Sequence, residues 1–173
     1  MKPQLKILQD FIKPYFRYKC PIVKYKKEEW NGLANTEKNI IYINSENDHL
    51  ELNCMVGEVT YKPSSKIKLK GSEGYFFTLL HEVGHFKIPF KVKSRKFEKI
   101  KADIKKELGV TKTSLDSITY SAEDYFKKDS EYFEFRSWLK GGSMTQHIKV
   151  NEWAIKEFRR KRKDINKIIK NIK

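Results

Sequence analysis

Over residues 3–18, apolar side chains recur about every 3.6 positions at Leu5, Ile7, Leu8, Phe11, Ile12, Tyr15 and Phe16. That spacing predicts an amphipathic helix, which Pro14 kinks or shortens. After Pro21 the pattern changes to short extended runs. Ile22-Val23-Lys24-Tyr25 reads as a strand, Asn31-Gly32 as a turn, and Asn39-Ile40-Ile41-Tyr42-Ile43-Asn44 as the strongest strand of the chain. Residues 55–61 and 66–70 also alternate and read as further strands.

Beyond residue 70 the period becomes helical. Ser72 is the expected N-cap of a helix running from Tyr75 to Ile88 and stopped by Pro89. A second helix is expected over 94–108, opened by Ser94, with Phe97, Ile100, Ile104 and Leu108 in register and Gly109 as its stop. Ser121 with Asp124 three positions later resembles a capping box for a third, ended by Gly141-Gly142. The last runs from about Gln146 towards the C-terminus on a stripe of Val150, Ala154, Phe158, Ile165, Ile168 or Ile169, and Ile172. Strands in the first 70 residues and helices after them predict an α+β fold, with a small N-terminal antiparallel or mixed sheet and a helical C-terminal half. With 173 residues, no Pro/Gly/Ser-rich linker and no repeat, residues 1–173 are expected to form one domain.

Composition adds a strong field. There are 37 Lys+Arg against 22 Asp+Glu, a net charge of +15, which favours anionic partners such as nucleic acid or acidic proteins. The charge is densest over 156–173, where nine basic residues face two acids. Isoleucines run straight through that segment, so the plainer reading is a solvated helix face. Met1 to Phe11 mixes Lys2, Gln4, Lys6 and Asp10 into its apolar residues, leaving no leader-like core, and no apolar stretch is long enough for a membrane span. Cys20 and Cys54 belong to no Cys-x-x-Cys pair and read as reduced thiols. The expectation is a cytoplasmic chain with no membrane partner.

The chemistry concentrates in His81-Glu82-Val83-Gly84-His85. The chain has four histidines, and two of them stand at i and i+4 on a predicted helix, one turn apart on one face. Two imidazoles so placed can ligate one zinc ion, and Glu82 beside the first is positioned to take a proton from water. Gly84 leaves the helix surface bare, so another element can approach closely. Apolar flanks from Phe76 to Leu80 and at Phe86 suit a buried ligand helix.

The segment from Phe77 to Phe86 resembles the zinc helix of zincins, and among these the ImmA/IrrE-type metallopeptidases of mobile elements and stress regulons. Residues 39–44 resemble the strand ending Ile-x-Ile-Asn that precedes that helix in the family. Val150-Asn151-Glu152-Trp153-Ala154 resembles its downstream Ala-Asn/Asp-x-(Phe/Trp)-Ala segment. The resemblance implies a zincin-like domain whose sheet packs on the active-site helix, a zinc cofactor, and peptide-bond hydrolysis in a protein substrate such as a transcriptional repressor. In the family a glutamate three residues before the alanine is the third ligand. Setting Val150 on that alanine puts His147 in the glutamate's place, a departure that keeps a competent zinc ligand. Helical geometry agrees, since His147, Val150, Asn151, Ala154 and Phe158 share one face. Glu152, on the flanking face, is the main rival, followed by Glu131 and Glu134. Tyr75, Tyr120, Tyr125 and Tyr132 are candidates for an oxyanion donor. The alternative reading is a basic nucleic-acid-binding protein that uses the zincin fold as a scaffold.

Overall fold

The computed structural model describes residues 2–28, 31–46, 54–56, 59–61, 67–88, 94–109, 114–139 and 142–172, with 54–56 and 59–61 described by their backbone alone. The architecture is α+β. The chain forms two compact units, residues 1–53, 62–89 and 149–173 in the first and 54–61 and 90–148 in the second.

The first unit opens with α1 (Leu5–Ile12), which buries Leu8 and Ile12 completely. Its last turn tightens into a 3-10 turn, Lys13–Tyr15, where the missing N–H of Pro14 leaves no bond unmade. Three strands follow, β1 (Ile22–Lys26), β2 (Gly32–Asn35) and β3 (Ile40–Asn44), forming a mixed sheet in the order β1-β3-β2. β1 runs parallel to β3 with Val23 opposite Ile41, and β2 runs antiparallel to β3 with Gly32 opposite Ile43. Val23, Ile41 and Ile43 turn inward and are buried against α2 (Glu73–Lys87) and α1. Asn31-Gly32 is therefore not a free-standing turn, because Gly32 begins a strand.

α2 is buried on every side from Glu73 to Gly84, the mark of a central helix. Ser72 precedes it with helical dihedrals and makes no side-chain cap. Glu73 ties the entry instead, its carboxylate accepting from the backbone N–H of Lys70 at 2.9 Å. The alternating run 67–70 forms no strand, because its backbone groups bond to side chains. Lys70 N–H goes to Glu73, and the Lys68 carbonyl accepts from Arg162 at 2.8 Å. Lys66 lies outside the described residues.

α6 (Met144–Asn171) begins in the second unit and runs on through the first. In the first unit it buries Val150, Asn151, Ala154, Phe158 and Ile165. Arg162 grips the buried Glu73 with two bonds, at 2.9 and 2.8 Å, clasping α6 to the start of α2.

The second unit holds the antiparallel pair β4 (Cys54–Val56) and β5 (Val59–Tyr61) and three helices, α3 (Arg95–Glu107), α4 (Leu115–Ser121) and α5 (Asp129–Leu139). Ile100, Ile104, Ile118, Ala122 and Phe135 form its core. Ser94 caps α3 as expected, accepting from Phe97 N–H at 3.2 Å. Ser121 does not open a helix. It ends α4, whose cap is Ser114 accepting from Ser117 N–H at 3.1 Å, and Glu123–Tyr125 form a 3-10 turn before α5. Among the described residues no helix is long and apolar enough to cross a membrane.

Candidate metal centre

His81 and His85 project from one face of α2, and their Nε2 atoms stand 3.3 Å apart. His147 joins them from α6, and the three imidazoles offer nitrogens that all lie within 4.8 Å of one another. Two tetrahedral ligands about 2.0–2.1 Å from a shared ion stand about 3.3 Å apart, so the α2 pair already has the spacing a small metal ion requires. The donor set also suits an ion of intermediate softness such as a divalent transition metal. Burial lowers the pKa of His147, favouring the neutral imidazole that ligation needs.

The backbone explains the convergence. Val150 is fully buried less than one turn after His147, and it reaches α2 at Gly84. A Cβ on Gly84 would stand 2.9 Å from Val150 Cγ1 and 3.3 Å from Trp153 Cε3, so only a bare backbone lets α6 come this close. Asn151 makes the second tie. Its Oδ1 lies 2.8 Å from His81 Nδ1, in a site where Asn151 is fully buried and His81 is 8% exposed. A proton on Nδ1 shared with that oxygen leaves the Nε2 lone pair facing His85, the orientation and tautomer a ligand needs.

Glu82 is 5% exposed, and burial pushes its carboxyl up to about 8, while a bond from the backbone N–H of Ala34 pulls the other way. Ala34 belongs to β2, an edge strand among the described residues. The strand passes so near that a Cβ on Gly32 would meet Thr78 Cγ2 at 2.6 Å and Glu82 Oε1 at 2.7 Å. Gly32 is thus a close-approach position that the sequence disguised as a turn signal.

The structure brings together His81, His85 and His147 and leaves the rival ligands elsewhere. Glu152 is exposed, Glu131 pairs with Lys96 at 2.9 Å, and Glu134 accepts from Ser143 and Thr145 at the start of α6. Tyr75 donates to the Ser45 carbonyl, Tyr125 to Glu107 and Tyr132 to the Thr119 carbonyl, while Tyr120 is 81% exposed. Asn151 was not singled out as a site residue from sequence, although its place four residues after His147 put it on the same face.

The close approach at Gly84 predicts a sign. Helix propensity alone makes Gly84→Ala stabilising by about 1 kcal/mol. Val150 is β-branched, fully buried and held to few rotamers, so overpacking of about 1–3 kcal/mol should outweigh that gain. Thermal melting should show Gly84→Ala below wild type by a few degrees, and Val150→Ala in that background should recover part of the loss. A Gly84→Ala protein more stable than wild type would refute the contact.

No protein-family model, curated protein or solved structure matches the chain.

Proposed function

We propose that this chain is a zinc metallopeptidase of zincin-like build, in which His81, His85 and His147 hold the ion and Glu82 carries the proton chemistry. The observation that supports this reading is the convergence of His81 and His85 of α2 with His147 of α6, with the buried carboxyl of Glu82 following His81 on α2. The small mixed sheet against α2 and the likeness to ImmA/IrrE-type metallopeptidases point the same way.

Zinc held by His81, His85 and His147 would supply Lewis acidity towards a carbonyl and make nearby water more acidic. In its ionised form, which a nearby dication would favour against the cost of burial, Glu82 would accept a proton from the attacking water and deliver it to the departing amine, so that one water is consumed for each C–N bond broken. Asn151 holds the His81 ring through Nδ1. Among the described residues β2 is an edge strand next to Glu82, and beyond the Ala34 N–H that Glu82 takes it is a natural support for a substrate bound in extended form. An extended segment of a protein, such as an exposed linker in a DNA-binding regulator, is the substrate class that fits.

Purified protein should carry about one zinc per chain and cleave an unfolded protein substrate such as reduced casein. Removing the ion with a chelator should stop cleavage, and adding zinc back should restore it. Full cleavage by metal-free protein would eliminate the proposal, as would a preparation that cannot be loaded with zinc.

A further inference from the structure

The outward face of α6 carries an almost unbroken line of cations. At about 100° per residue, Lys149, Lys156, Lys163, Lys167 and Lys170, joined by Arg159 and Arg160, fall within an arc of about 100°. All seven are exposed. The arc has one other position between residues 149 and 170, Glu152, so seven of eight places are basic. At about 1.5 Å per residue the line is about 31 Å long. Arg160 is paired with Glu157 at 2.5 Å, whereas the five lysines have no ion-pair partner among the described residues.

The opposite face is fully used. Phe158 and Ile165 are completely buried in the first unit, and His147 is on that side too. The isoleucines that run through the basic segment therefore do not compete for its exposed face. A long exposed row of like charge has no folding purpose, since like charges one turn apart on a helix repel.

We infer that this stripe binds the phosphate backbone of nucleic acid, without reading sequence. A nucleic-acid strand is the polyanion whose charges recur along a line, about 3.4 Å apart per strand in a duplex, and a row of flexible lysines meets such a line at many registers. The eight positions include no apolar or aromatic side chain, and protein interfaces depend on such anchors at their centre. Membrane-surface helices bind through an apolar face, which here is buried in the core. The stripe carries no asparagine or glutamine to pair with base edges, so contacts to phosphate dominate. Because the stripe and His147 occupy opposite sides of α6, the inference does not rest on the metallopeptidase reading.

Fluorescence anisotropy with a 20-base-pair DNA duplex and a 20-nucleotide single-stranded RNA tests it. Two triple variants are compared, Lys163→Glu/Lys167→Glu/Lys170→Glu on the stripe and Arg95→Glu/Lys99→Glu/Lys106→Glu on α3. Both change exposed helix positions and lower the net charge equally. Wild type should bind at least one of the two probes, and the tighter one identifies the form of nucleic acid preferred. The stripe variant should bind about 100-fold more weakly, and its log Kd against log salt should flatten by about 3. The α3 variant should stay within about fivefold of wild type. Equal losses in the two variants would reduce the effect to overall charge and overturn the inference. So would failure of wild type to bind either probe at low salt.

Discussion

Replacing Glu82 by glutamine is expected to lower kcat/KM for protein cleavage by about a thousandfold while the zinc content stays at one per chain. Glutamine keeps the length and shape of the side chain and can still accept the bond from Ala34 N–H, so the packing between β2 and α2 is preserved. It cannot take up a proton. General acid–base catalysis is worth about 10²–10⁴ in rate, and the ion retains its own Lewis acidity, which is why a residual rate remains. Atomic absorption on the same sample used for kinetics separates the possible roles. If zinc content fell in step with activity, Glu82 would be a ligand and the assigned division of labour would be wrong.

His147→Ala should have the second large effect, on metal affinity. Two histidines on one helix would hold an ion on one side only, and the imidazole from α6 would close the site. Losing one of three protein ligands should weaken zinc binding by about a thousandfold, measured by competition with a chromophoric chelator. Asn151→Ala should produce a smaller loss, about 10–100-fold, because the ligand remains but its orientation and tautomer are no longer fixed. Glu152→Ala should bind zinc like wild type, since that side chain is exposed on the far side of α6. Equal losses in the glutamate variant and the His147 variant would show that α6 is turned by a face.

Much of this centre was legible in the chain because it depends on local geometry. The i, i+4 spacing set His81 and His85 on one face, and the apolar period of α6 set His147 on the side of Val150 and Phe158. Gly84 announced a close approach, and Val150 now identifies what approaches. The strand 40–44 and the cap at Ser94 were equally readable. The misreadings came where distant side chains decide the backbone. The run 67–70 alternates like a strand, yet Arg162, some ninety residues away, takes its carbonyl. Ser121 and Asp124 have the spacing of a capping box, but the helix they were to open starts only at Asp129. Gly32 looked like a turn because proximity to Glu82 leaves no mark in the neighbouring sequence.

The clasp between Arg162 and Glu73 would give a bound metal a different standing from the one it has in a zinc finger. α2 and α6 are joined by this ion pair, by Val150 against Gly84 and by Asn151 against His81, and none of these ties needs a metal ion. From Asn151 to Arg162 they span about 16 Å of helix, enough to fix both the separation and the rotation of the two rods. The spacing of α2 and α6 over this stretch is therefore set without a metal, and binding free energy would go into holding an ion, not into folding these helices. On the proposed reading zinc would be an exchangeable occupant that adds stability only by mass action, about 4 kcal/mol at a thousandfold excess over Kd.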